Sequence, residues 1–316
     1  MTEAEAARWL QERDNFLILT HTRPDGDTLG CAAALCAGLK RLGKTAWVAR
    51  NEGVTSTYLD YIAPYFAPEG YTGEHMVAVD IASEGLFPPE MACCRGQVEL
   101  CIDHHPSNEH YARHLCLDAG AAACGEMIYR ICREHLGVMD EEIARGVYLA
   151  LSTDTGCFVY DNTTPETHRI AAAVMEYGTF SREINKRCFQ TKSRKRMALE
   201  ARLLEGAQFY QGERVVIGAN SIATMQALSA GEADAEELSS LLRQIEGVQA
   251  AATLRELSPG KWKLSLRTNP DYLNASQTCA RLGGGGHAAA AGATLEDSMD
   301  EETARALVLE TILGML

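Results

Sequence analysis

Short uninterrupted apolar runs alternate with helical periodicity through the first half of the chain. Residues 16–20 form one such run, which stops at a polar loop over residues 21–27. Residues 28–42 then place Leu29, Ala32, Ala33, Cys36 and Leu39 on one helical face, and Gly43 ends the pattern. Residues 44–50, 76–81 and 98–102 are three further strand-like runs, and residues 121–136 and 141–152 carry helical patterns. Residues 1–11 read as a polar helix. Strands without polar alternation are covered on both faces, which predicts a mostly parallel sheet flanked by helices.

The pattern changes near Ser181. Lys186, Arg187, Lys192, Arg194, Lys195 and Arg196 form a basic run, and a long amphipathic helix is predicted over 193–210. A strand at 214–219 and a helix at 235–245 follow. Strands at 248–256 and 261–267 then form a hairpin turning at Pro259-Gly260. The expected fold is therefore α/β with two domains. Residues 1–188 would be the first domain. Residues 189–316 would be a connector helix and a smaller α/β domain with a mixed sheet.

Composition narrows the function classes. The 316 residues are 46% hydrophobic, enough for full cores, and the formal net charge is −14. Such a surface argues against long duplex nucleic acid, whose binding needs many Lys and Arg against phosphates. A short or mononucleotide ligand remains compatible if positive charge is local or supplied by bound cations. The eleven cysteines are scattered without paired CxxC knuckles, so a structural zinc site is not expected. Buried thiols in a reducing compartment fit better, and with no secretion signal or membrane-length apolar stretch the expected location is cytoplasmic, away from membranes.

Titratable residues gather at the ends of the apolar runs. His21, Asp25 and Asp27 lie in the turn after the first strand, shaped by Pro24 and Gly26. Asp27 as a helix cap and Asp25 as a turn opener are the plainer alternative for this loop. Asp80 ends the third run, and Asp103, His104 and His105 follow the fourth. His104 is a candidate ligand, Asp103 would orient a ring from behind, and His105 would face a substrate. Asp154 ends a helix, where the negative dipole end disfavours a carboxylate unless a cation is near. Four carboxylates and two imidazoles converging at strand ends suit two cations sharing Asp80. Two such ions can activate a water and stabilise an in-line displacement at phosphorus. Carboxylate and imidazole without thiolate suit Mn²⁺, with Mg²⁺ as the alternative. Further on, Gly283 to Gly286 precede His287, and Arg267 ends a strand; backbone amides, an imidazole and a guanidinium together would hold an anion. There is no GxGxxG after the first strand and no GK[ST], so Rossmann and Walker readings fail.

These residues resemble the DHH phosphoesterase family. His21 with Asp25 and Asp27, Asp80, Asp103-His104-His105 and Asp154-Thr-Gly resemble its four motifs. Gly283 to His287 with Ala290-Ala-Gly292 resembles the glycine-rich motif of the DHH-associated C-terminal domain. The size resembles the stand-alone nanoRNase branch. The resemblance implies a phosphoesterase acting on short RNA oligonucleotides, and on 3′-phosphoadenosine 5′-phosphate (pAp), with residues 1–188 as its metal-binding catalytic domain and the catalytic cleft between the two domains. It implies one Mn²⁺ on His21, Asp25 and Asp80 and a second on Asp27, Asp80, His104 and Asp154. His105 would stand by the scissile phosphate with Asp103 behind it, and Arg267, Gly284, Gly285, Gly286 and His287 would grip the substrate's terminal phosphate. Ala121-Ala-Ala123, the absence of Arg after Asp80, and Ala288 depart from the family pattern, and bear on substrate preference rather than on the ligands. Cleavage of pApA is the alternative substrate reading, and a non-catalytic nucleotide sensor the alternative of another class. A homodimer is compatible with the sequence, and whether the basic segment contacts RNA stays open.

Overall fold

The computed structural model describes residues 1–235, 238–295 and 298–316. The chain divides into two compact units, Met1–Thr191 and Lys192–Leu316, each with its own hydrophobic core.

In the first unit the chain runs α1 (Glu3–Gln11), β1 (Phe16–Leu19), α2 (Gly26–Arg41), β2 (Ala46–Val48), α3 (Leu59–Ile62), β3 (His75–Val79), β4 (Leu100–Asp103), β5 (His114–Leu117), α4 (Cys124–Tyr129), α5 (Glu141–Asp154), α6 (Pro165–Met175) and α7 (Ser181–Asn185). The five strands form one parallel sheet in the order β2-β1-β3-β4-β5. Phe16, Ile18 and Leu19 of β1, Val77 to Val79 of β3 and all of β4 are buried, as their continuous apolar runs predict. From β1 the chain moves to β2 on one side and returns to β3 on the other. That reversal opens a crevice beyond the carboxyl ends of β1 and β3, where ligands bind in sheets of this order.

Two helices cross this crevice with unusually close backbones. Gly26 of α2 lies against Thr153, Gly30 against Gly146 and Ala150, and Gly38 near Ile143, so α2 and α5 run in opposite directions. A Cβ on Gly30 would fall 2.4 Å from the Gly146 carbonyl oxygen, and one on Gly146 would fall 2.6 Å from that of Gly30. The contact therefore brings the first turn of α2 to the last turn of α5. Side chains also cap the helices: Asp25 accepts from the amides of Asp27 and Thr28 at the start of α2, and Asp140 caps α5.

In the second unit come α8 (Arg194–Glu205), β6 (Gln208–Tyr210), β7 (Val215–Asn220), α9 (Ile222–Ala227), α10 (Leu238–Arg243), β8 (Ala250–Ser258), β9 (Lys261–Thr268), α11 (Ala275–Ala280), β10 (Gly285–Gly286), β11 (Ala290–Leu295) and α12 (Glu301–Leu313). Six strands form a mixed sheet, β10-β11-β9-β8-β7-β6, antiparallel except between β7 and β8. Trp262, Leu264 and Leu266 share one core with Ala304, Val308 and Ile312 of α12, while Leu203 and Leu242 pack with Val216 and Ala251 in another.

The α/β class and both sheets match the periodicity, but several boundaries move. The helix expected over 193–210 ends at Glu205, because Gly206 caps it and residues 208–210 pair as β6. The helix expected from 121 begins at Cys124, and its second half widens into a π-helix, Arg130–His135. Of the helix expected over 235–245, Leu238–Arg243 is helical, and residues 236–237 lie outside the described residues. The basic segment is partly neutralised: Arg187 pairs with Asp60, and Lys192 and Arg196 both pair with Glu200. No helix among the described residues is long and apolar enough to cross a membrane.

Substituting Gly30 or Gly146 by Ala is expected to destabilise the protein by about 1–3 kcal/mol through overpacking. Gly231→Ala, where a Cβ meets nothing within 4 Å, should stay within about 0.5 kcal/mol. Urea denaturation of the three variants tests the contrast.

Candidate metal centre

Each expected ligand leaves its element at the crevice. His21 follows β1, its Nδ1 2.8 Å from the Thr22 carbonyl. Its Nε2 lies 3.6 Å from Asp25 Oδ1 and 3.8 Å from Asp80 Oδ2. His104 follows β4, with Nδ1 3.1 Å from the Ala121 carbonyl. Its Nε2 lies 3.7 Å from Asp27 Oδ2, 3.5 Å from Asp80 Oδ1 and 3.8 Å from Asp154 Oδ2. A carbonyl holding one ring nitrogen aims the other inward, as in metal-ligating histidines. Donor atoms bound to one ion at 2.0–2.2 Å stand roughly 3–3.6 Å apart, close to the separations seen here. Three donor groups result: His21, Asp25 and Asp80; Asp27, His104 and Asp154; and Asp80, His104 and His105, with the donor atoms of each within 4.8 Å of one another.

Asp80 is the centre of this arrangement. Its φ of 58° is left-handed, a strained conformation for a residue with a Cβ. Its side chain is buried, and Oδ1 has no hydrogen-bond partner. Buried polar atoms are almost always paired. An orphaned carboxylate oxygen on a strained residue, facing His104 Nε2, fits a cation ligand and little else.

Asp27 is also buried, and serves two helices. It sits in the first turn of α2, yet its carboxylate accepts from the amides of Cys124 at 2.7 Å and Gly125 at 3.0 Å. Ala123, at the start of α4, provides no side-chain cap, so Asp27 caps that helix from 97 residues away. The plainer sequence alternative is thus corrected: Asp25 caps α2, and Asp27 caps α4.

Asp103 does different work. Its Oδ1 accepts from His105 Nδ1 at 2.8 Å and from the His104 amide at 2.9 Å, and its Oδ2 accepts from Asn108 at 2.6 Å. It holds the His105 ring, whereas the His104 ring is held by Ala121.

The electrostatics follow from this packing. Burial, then the charges of Asp27 and Asp25, pushes the Asp80 carboxyl well up. Burial raises Asp27 against the pull of His104. Burial and Asp27 raise Asp154 to about 7. Asp25 differs: enclosure opposes its ionisation, but His21 and the Thr28 and Asp27 amides outweigh it and hold the carboxyl low. Its side chain is 55% exposed, so solvent also favours the charged form. The Asp103 hydrogen bond raises His105 above the usual imidazole range, with burial opposing it.

Three asparagines outside the expected ligand set hold the loops of the site. Asn51 donates to the His21 carbonyl at 2.9 Å, and Asn108 joins Asp103 to the Ile81 carbonyl. Asn162 donates to the carbonyls of Ala122 and Asp154.

In the second unit, Arg267 stands opposite Ala290 on the neighbouring strand, beside the turn that His287 and Ala290 close. A Cβ on Gly284 would fall 2.1 Å from the Gly292 carbonyl oxygen, and one on Gly286 would fall 2.6 Å from that of Ala290. Packing therefore requires these two glycines, and Gly283 has a φ of 73°. Gly285 has negative φ, and a Cβ there would meet nothing within 4 Å.

Carboxylates and imidazoles able to hold divalent cations, gathered at the switch point of a parallel sheet beside an Asp-held histidine, fit a metal-dependent phosphoesterase. Residues 15–151 match the DHH family N-terminal domain, and residues 220–313 match the DHHA1 domain. A Thermus thermophilus protein, described as bifunctional oligoribonuclease and PAP phosphatase NrnA, is 32% identical over 93% of this chain and 88% of its own length. The chain belongs to the DHH family. An exopolyphosphatase-related protein from Bacteroides fragilis shares the fold with a TM-score of 0.88 at 21% identity, covering 99% of this chain and 96% of that one. RecJ from Thermus thermophilus, solved in complex with Mn²⁺, has a TM-score of 0.51 at 15% identity, covering 99% of this chain and 54% of RecJ.

A pH dependence follows. From the ordinary carboxylate value of 3.8 up to about 7, folded metal-free protein keeps a proton on Asp154 that the unfolded chain has released. The metal-free protein should therefore lose stability as pH rises through that window. Cation binding needs the deprotonated carboxylates, so the Tm increase produced by a divalent cation should grow over the same window. Asp80→Asn should melt at or above the metal-free wild-type temperature and lose most of the cation-induced increase. Scanning calorimetry across that pH range, with and without cation, checks both.

Proposed function

We propose that this protein hydrolyses short oligoribonucleotides to mononucleotides and removes the 3′-phosphate of pAp, in a reducing, cytoplasmic setting that suits its eleven free thiols. Its cofactor is two Mn²⁺, with Mg²⁺ as the substitute. His21, Asp25 and Asp80 hold one ion, and Asp27, Asp80, His104 and Asp154 hold the other. The observation that carries this reading is Asp80, whose Oδ2 faces His21 while its unpartnered Oδ1 faces His104. When bound, such a pair supplies positive charge to phosphoryl oxygens and lowers the pKa of water.

The chain's own residues do the rest. Asp103 fixes the His105 ring through Nδ1 and favours its protonated form, so His105 can place a proton donor against a phosphoryl oxygen. Arg267, His287 and the backbone of Gly284, Gly285 and Gly286 bind the terminal phosphate of short substrates. The net charge of −14 disfavours long duplex partners. The oligoribonuclease and PAP phosphatase activities named for the Thermus thermophilus relative support the same substrate class.

The test is a substrate panel of pAp, pApA and di- to pentaribonucleotides, with and without Mn²⁺. Mn²⁺-dependent release of mononucleotides is expected, abolished by Asp80→Ala. Turnover of pApA alone would move the assignment to that substrate. Turnover unaffected by Asp80→Ala would contradict the assignment altogether. His287→Ala should raise KM for dinucleotides by roughly tenfold or more, the loss of one charge-assisted phosphate contact, while leaving cation binding unchanged.

A further inference from the structure

Immediately beyond Asp154 the backbone takes a left-handed turn. Gly156, Cys157 and Phe158 have φ values of 57°, 58° and 65°. Only glycine adopts this conformation without steric cost, so two of the three residues are held there by their surroundings. The turn sorts the side chains that follow. Phe158 goes inward, stacking on His168 at 5.3 Å between ring centroids and packing against Tyr148 at 6.0 Å. Val159 and Tyr160 go outward, 77% and 58% exposed.

The outward ring is nevertheless fixed. A Cβ on Gly156 would fall 2.4 Å from Tyr160 Cζ, so the tyrosine lies flat against the glycine backbone. The amides of Val159 and Tyr160 both donate to the Thr155 carbonyl, at 2.9 and 3.0 Å. Asn162 then ties the loop back, donating to the Asp154 carbonyl at 3.2 Å and to that of Ala122 at 2.9 Å. The result is a solvent-facing aromatic ring in a loop tied to the backbone carbonyls of Asp154 and Thr155.

We propose that Tyr160 is a stacking platform for the nucleobase adjoining the phosphate bound at the metal centre. The inference rests on the phosphoesterase reading above and adds a base-recognition site to it. A base stands one ribose away from its phosphate, and the glycine that carries the ring, Gly156, stands two residues beyond Asp154. A ring already fixed by its loop loses little freedom on stacking. Stacking is tolerant of base identity, because every base presents a π-face, and it adds affinity that needs no positive charge on an acidic protein. The alternative occupant of an exposed ring, a second copy of the chain, is an outcome of the test.

The test uses the full-length protein and a 5′-phosphorylated dinucleotide of 2-aminopurine, whose fluorescence is quenched by stacking, with Ca²⁺ in place of Mn²⁺. Wild type, Tyr160→Phe and Tyr160→Trp should quench the probe. Tyr160→Ala, with an unchanged thermal melt, should lose most of the quenching and bind roughly tenfold more weakly. In turnover with Mn²⁺ its KM for an ordinary dinucleotide should rise by a similar factor with kcat near wild type, and its KM for an abasic dinucleotide should not move. Quenching by Tyr160→Ala equal to wild type would overturn the platform. So would an equal rise in KM for both substrates, or a change in solution mass that assigns the ring to an interface between copies. The two readings fail separately. Wild-type protein that quenches the probe but hydrolyses no oligonucleotide refutes the proposed function and leaves the platform. Hydrolysis with quenching unchanged in Tyr160→Ala does the reverse.

Discussion

The burial of carboxylates without an internal counter-charge governs the first unit. Asp27 and Asp80 are buried, Asp154 is half-buried beside them, and the nearest positive groups are imidazoles. A desolvated carboxylate is costly unless it is paired, hydrogen-bonded or protonated. Asp27 answers with the amides of α4, and Asp103 with His105 and Asn108. Asp80 has no such answer for Oδ1. A cluster in that condition stores a strong preference for divalent cations, because cations neutralise several carboxylates at once and proteins supply few other means of doing so.

The remainder of the fold delivers those carboxylates to one place. Parallel strands put every strand-end residue on the same edge, and the reversal between β1 and β3 opens space there. The glycine contact between α2 and α5 brings Asp27 and Asp154 to the same side of His104. Asparagine side chains then fix the loops: Asn51 behind His21, Asn108 between Asp103 and Ile81, Asn162 behind Asp154. The shape of the centre is thus set by backbone proximity and by hydrogen bonds to carbonyls more than by the ligands themselves.

Much of this was legible from residue order. Apolar runs ending in Asp or His marked the sheet, its parallel character and the edge that carries the chemistry, because a buried strand leaves few other reasons for such an ending. What stayed hidden depends on distant partners or on local stereochemistry. Asp27 as a cap for α4 needs a contact across 97 residues. Asn51 and Asn108 resemble ordinary turn residues. β5 is a four-residue edge strand, and β11, with the sequence AAGATL, gives no hydrophobic signal. The glycine-rich segment looked uniform in sequence, but two of its glycines are demanded by packing against β11, and Gly285 is not. The left-handed turn at Cys157 and Phe158 has no sequence signature, since neither residue favours it.

In the proposed function Asp80 joins two cations. Electron paramagnetic resonance of the protein titrated with Mn²⁺ tests it directly. Two ions per chain with a spin-coupled spectrum are expected, reduced in Asp80→Asn to an uncoupled signal and weaker binding. A single uncoupled Mn²⁺ per wild-type chain at saturation would contradict it.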